Sequence, residues 1–150
     1  MLVQTLNGLS LAGILVLVAV GLAMIFGLLG VINLAHGEFL MLGAYTAVYV
    51  NDTTHRLILA IILAPVAIGL LGLVIERTVI KRLYERPYET RLATWAISLI
   101  ARQSVSLASK GRYVGLPAPV SGAVHFLGVG YPIYRLVLVG LGVAVAVGLW

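Results

Sequence analysis

Three polar or ionisable residues interrupt an otherwise apolar stretch: Asn33, His36 and Glu38, within Asn33-Leu34-Ala35-His36-Gly37-Glu38. Ionisable groups beside a membrane segment are costly and are often functional. One reading makes this cluster the polar lining of a translocation path, or a hinge beside it. The other makes it a helix–helix turn. Asn33 then caps, Gly37 bends, and Glu38 sits at a helix start, where the dipole favours a carboxylate. A His-x-Glu pair offers only two candidate metal ligands, so no metal is expected. Tyr45, Thr46 and Tyr49 follow on the next apolar segment. Their hydroxyls suit a polar substrate, and Tyr49 serves equally as an interfacial anchor. Arg102 and Gln103 either line a water-filled path, or the helix ends at Ala101 and Arg102 reaches a headgroup. Bond-making chemistry is not implied: the three His lie far apart in sequence and Cys is absent.

The elements that must position these residues are membrane helices. Of the 150 residues, 61% are hydrophobic and 10% charged, against about 25% charged in soluble domains. A soluble fold of this size cannot hide so much apolar surface, whereas a bilayer solvates it. Residues 9–32 form a run of 24 without a charge, enough to span. That run is too long for a signal-peptide core of about 7–15 residues, so a retained segment is expected. Ala19, Ala23 and Gly27 recur there at a spacing of four and are expected to face another helix. Residues 33–50 form either a second helix with a polar start or a re-entrant piece, and 51–56 a short polar loop. Residues 57–75 form another uncharged span of 19, with Pro65 inside it and a kink expected nearby.

Five of the ten basic residues lie between 77 and 91. By the positive-inside rule this stretch is a cytoplasmic loop, so the net charge of +5 reads as topology, with no nucleic-acid partner. Residues 92–109 are expected to cross outward. The Gly- and Pro-rich stretch 110–135 is expected outside and not as a long helix. Residues 136–150 are apolar again, with Gly140, Ala144 and Gly148 at a spacing of four. Fifteen residues fall short of a span, so the chain is expected to be incomplete at its C-terminus.

The segment Gly21–Ala47, and above all its core NLAHGEFLMLGAY, resembles a hallmark of the membrane permease subunits of branched-chain amino acid ABC importers and their relatives. RPYETRLATWAISLI, at 86–100, is more similar to the urea-importing branch, with Ala96 where that branch usually has glycine. YPIYR at 131–135 resembles the family's entry to its next helix. The likeness covers essentially the whole chain, at the position of the N-terminal half of a family member.

The resemblance implies a translocation path shared with a second related permease subunit, a periplasmic substrate-binding protein that delivers urea or branched-chain amino acids, and cytoplasmic ATPase subunits. No G-x-x-x-x-G-K-[ST] phosphate loop occurs in the chain, so ATP hydrolysis is expected from those partners. Arg77, Lys81, Arg82, Glu85 and Arg86 then form either an ATPase-facing loop or only a solvated, topology-setting face. Their mutual ion pairs contribute little.

The expectation is therefore an all-α, polytopic transmembrane protein of four to five membrane segments. Residues 1–150 form a single permease domain in a bacterial inner membrane, in contact with lipid, with no cofactor of its own and no enzymatic activity. The rival functions are an ATP-independent channel or secondary transporter, and a membrane-embedded enzyme. The last would need more ionisable groups within the spans than are present.

Overall fold

The computed structural model describes residues 2–111, 115–116, 122–126 and 129–148. Five α-helices account for most of them: α1 (Leu2–Leu29), α2 (His36–Thr54), α3 (Leu57–Thr78), α4 (Pro87–Ser109) and α5 (Ile133–Gly148). A 3₁₀ turn at Ile80–Arg82 follows α3. Two short strands, β1 (Ala123–Phe126) and β2 (Val129–Pro132), pair antiparallel within the breaker-rich stretch, Ala123 opposite Pro132. Arg112, Pro117, Pro119, Ser121 and the last two residues of the apolar run 136–150 lie outside the described residues.

Among the described residues two helical stretches are long and apolar enough to cross a membrane: Gln4–Leu28 and Leu57–Arg82. At about 1.5 Å per residue each exceeds the roughly 30 Å hydrocarbon core. A shorter apolar helix spans Ile133–Gly148. The architecture is that of an all-α membrane protein, and its contacts fall into two compact units.

One unit comprises residues 25–116. Gly30, at φ +65°, ends α1, and its N–H bonds the Phe26 carbonyl at 2.8 Å. A left-handed residue of this kind is a common helix terminator, and glycine adopts it without a Cβ penalty. Val31 and Ala35 are buried. The Asn33 carboxamide oxygen accepts the Ala35 N–H at 3.0 Å, and α2 starts one residue later with Glu38 in its first turn. The break is therefore a real turn, bent at Gly30. Gly37, the expected bend, is already helical.

Asn51 to Thr54, expected in a loop, continue α2. The Thr53 and Thr54 hydroxyls return hydrogen bonds to the Tyr49 and Val50 carbonyls at 2.9 and 2.7 Å. His55, at φ 53°, and Arg56 then reverse the chain into α3. The hairpin closes on alanines: Ala47, Ala60 and Ala64 are buried, with Val50 packed against them. Small side chains let two helices approach where lipid offers no hydrophobic drive for association. The α-helix α3 runs uninterrupted through Pro65.

Pro87 opens α4 at a position where its missing N–H would be unpaired anyway. Lys110 and Gly111, at φ 50° and 70°, close it. Arg102 therefore lies within a helix that continues to Ser109 and does not mark its end.

The other unit comprises residues 1–24 with 117–150. Here α1 and α5 cross at Gly13 and Gly142. A Cβ placed on Gly142 would lie 2.8 Å from the Gly13 Cα, so only glycine fits. Near this crossing the Arg135 guanidinium donates to the Asn7 carboxamide oxygen. The expected stripe of Ala19, Ala23 and Gly27 is instead exposed within this chain.

Candidate functional site

The helix α4 is inside out by the standard of a soluble protein. Its buried positions are Thr90, Thr94 and Ser98, at most 4% exposed, whereas Leu92, Trp95 and Ile100 are 65%, 52% and 67% exposed. In water this arrangement would be unfavourable. In hydrocarbon it is the favourable one, with apolar groups outward and hydroxyls turned to partners inside. The spacing of four puts all three on one face of the helix, and Arg102 continues the series.

Thr90, Thr94 and Arg102 of this seam are bonded through their side chains. The Thr90 hydroxyl donates to the Leu83 carbonyl at 2.6 Å, pinning the start of α4 to the preceding turn. Thr94 accepts the Leu34 N–H at 3.3 Å and donates to the Arg91 carbonyl at 3.0 Å. Ser98 is buried on the same face, between Thr94 and Arg102. Arg102 forms an ion pair with the Glu38 carboxylate. The Glu38 side chain is 12% exposed and that of Arg102 65%. Glu38 is thus a shielded carboxylate held by Arg102 of α4, not only a charge at a helix start.

Two cavities flank the seam. The first, of about 330 Å³, brings Asn33, His36, Thr94 and Tyr84 to a largely apolar wall. The second, of about 270 Å³, has Glu38 and Ser104 against Leu42, Leu71, Ile97 and Ile100. Ala35, Phe39, Ile75 and Ile97 line both. The cluster expected around Asn33 is therefore divided, Asn33 and His36 facing one cavity and Glu38 the other. Tyr45 and Thr46 line neither. Thr46 donates its hydroxyl to the Leu42 carbonyl of its own helix at 2.8 Å.

The charged stretch is not an irregular loop. Arg77 lies in the last turn of α3, Lys81 and Arg82 in the 3₁₀ turn, and Glu85 and Arg86 just before α4. All five are exposed. Arg86 pairs with Glu89 at 3.2 Å. The Tyr84 hydroxyl donates to Glu76 at 3.0 Å. Partial burial, and after it that carboxylate, hold the Tyr84 phenol above its ordinary pKa. Among the described residues no cluster of three or more His, Cys, Asp or Glu could hold a metal ion.

Sequence reading missed the seam itself. Its signal was present: Thr90, Thr94, Ser98 and Arg102 repeat every four residues in a segment whose remaining positions are mostly apolar. The pairing of Arg102 with Glu38, 64 positions away, has no local signal.

Helices with apolar outer faces and a buried polar seam are those of a helical membrane protein. The chain belongs to the family described as branched-chain amino acid transport system / permease component, which it matches over residues 4–150. It is similar to the high-affinity branched-chain amino acid transport system permease protein LivH of Salmonella typhimurium, at 29% identity over 129 residues covering 79% of this chain and 42% of LivH. LivH of Escherichia coli K12 is 28% identical over the same shares. BraD of Pseudomonas aeruginosa, a permease protein of the same description, is 46% identical over 44 residues, 29% of this chain and 14% of BraD. The chain thus spans less than half the length of these relatives. No solved structure matches it.

Proposed function

We propose that this chain is part of the membrane-spanning permease subunit of an ATP-driven importer for branched-chain amino acids, multi-pass in a bacterial inner membrane. Residues 1–150 form one permease domain in this reading, without a cofactor and without enzymatic activity. A second permease subunit completes the path, cytoplasmic ATPases supply the energy, and a periplasmic protein delivers substrate. The observation that carries the reading is the family match across nearly the whole chain. The apolar cavities beside the seam agree with it, since a branched aliphatic side chain needs such walls.

Asn33, His36 and Glu38 lie on the path, and Arg77, Lys81, Arg82, Glu85 and Arg86 face the ATPase. Tyr45 and Thr46 contact substrate only if α2 rotates relative to its neighbours during transport, because neither lines a cavity here. A second reading, urea import, is favoured by the likeness of residues 86–100 to the urea branch. The test is uptake into proteoliposomes holding the full importer. ATP-dependent accumulation of labelled leucine, with urea ignored, is expected. Accumulation of urea instead selects the second reading, and uptake without ATP rejects an ATP-driven importer.

A further inference from the structure

We propose that Glu38 and Arg102 form the recognition site for the charged ends of a zwitterionic α-amino acid, the substrate's carboxylate taking Arg102 and its ammonium taking Glu38. This assignment rests on the reading above and names the residues that would carry its specificity.

Three observations converge. First, the pair is unequally buried. The Glu38 carboxylate is shielded, while most of Arg102 is accessible. An incoming carboxylate can therefore reach the guanidinium, whose planar fork matches it. Second, Glu38 lines the 270 Å³ cavity whose other walls include Leu42, Leu71, Ile97 and Ile100. That volume lies just under the roughly 300–1,000 Å³ of ordinary ligand pockets, which fits a small molecule. An aliphatic side chain seated there would leave its α-carbon beside Glu38, and Arg102, which is not itself a wall of the cavity, would be reached through its pairing with Glu38. Third, the exchange conserves charge. Before binding, one carboxylate and one guanidinium neutralise each other. Afterwards each is matched by the opposite end of the substrate, so no unpaired ion is left at the seam.

The same accounting sets specificity. A zwitterion with an aliphatic side chain satisfies both groups. An amino acid analogue lacking its carboxylate leaves Arg102 unmatched, and one lacking its ammonium leaves Glu38 unmatched. Urea, uncharged and without an apolar part, replaces neither partner of the pair and fills none of the apolar wall.

The experiment uses the complete importer in detergent, without the periplasmic protein, and measures retained radiolabelled leucine. Valine should compete. Leucinamide, 4-methylpentanoate and urea should compete at least about tenfold less well, the loss expected for one missing charge-assisted contact. Equal competition by 4-methylpentanoate, or no retention of leucine at all, would overturn the assignment. A second arm uses the exchange Glu38→Arg with Arg102→Glu. It should restore the helix tie and assembly while uptake of leucine stays at least about tenfold down, because the two ends of the substrate then meet the wrong charges. A swap that assembles and transports normally would reduce the pair to a structural tie. Wild-type importer that accumulates no branched-chain amino acid would instead sink the functional reading itself, and this assignment with it.

Discussion

Two contacts at the scale of single residues bear most directly on the fold. At the α1–α5 crossing a Cβ on Gly142 meets the backbone of Gly13, which cannot move aside as a side chain can. Gly142→Ala is expected to destabilise the protein by about 1–3 kcal/mol, the usual magnitude of overpacking. Gly140→Ala, two residues away with open space around it, should be near neutral. Thermal melting of the purified complex separates the two, and equal melting temperatures would contradict the crossing. On the seam, Thr94→Val keeps the shape but leaves the Leu34 N–H unpaired. A loss of about 1–3 kcal/mol is expected for an unsatisfied donor of that kind. Thr94→Ser, which retains the acceptor, should recover most of it. Stripes of small residues pointed to Ala19, Ala23 and Gly27, yet the tight contact is made by one glycine from each helix. A spacing of four shows that a face exists; it carries no information on which face meets a partner.

At the scale of elements, the apolar runs 57–75 and 136–150 lay within three residues of α3 and α5 at each end, and 9–32 fell on α1, which begins seven residues earlier, because a long uncharged stretch has no stable alternative in lipid. The helices α2 and α4 were less legible for one shared reason. Their polar residues look like breaks when each is taken alone. In the fold, the Thr53 and Thr54 hydroxyls bond their own helix, and Arg102 is neutralised by Glu38 on another. Polar residues that satisfy one another do not end a helix, and that mutual satisfaction is invisible until the elements are placed. The α2–α3 hairpin offers its own test. Ala60 is fully buried, so Ala60→Leu should separate the helices and lower the yield of assembled complex, whereas Ile58→Leu, on the exposed side, should not. Matching yields of the two variants would argue against alanine-mediated packing.

For the whole molecule the open question is orientation. The positive-inside rule predicts the end of α3 and the start of α4, with the basic residues at 77–91, on the cytoplasmic side and 110–135 on the other. Because the chain has no cysteine, single cysteines report cleanly. One replacing Thr78 should stay unlabelled by an impermeant maleimide in intact cells, and one replacing Leu116 should be labelled. The reverse pattern would invert the topology and move the exposed Arg77–Arg86 face away from any ATPase.

The crossing of Gly13 with Gly142 also orders events during synthesis. The hairpin of α2 and α3 needs only a two-residue link to close, so it can pair as soon as both helices leave the ribosome. Helix α1 emerges first but waits for α5. At about 5–20 residues per second that delay is roughly 10 s. During this interval the first helix sits in the bilayer with its glycine notch open to any other helix, a vulnerability that chaperoning by the insertion machinery would have to cover. Ribosome-bound chains halted at residue 132 should therefore crosslink through position 13 to lipid or to insertion factors. Chains long enough to release α5 should lose that crosslink, and its persistence would mean that the crossing does not form in the membrane.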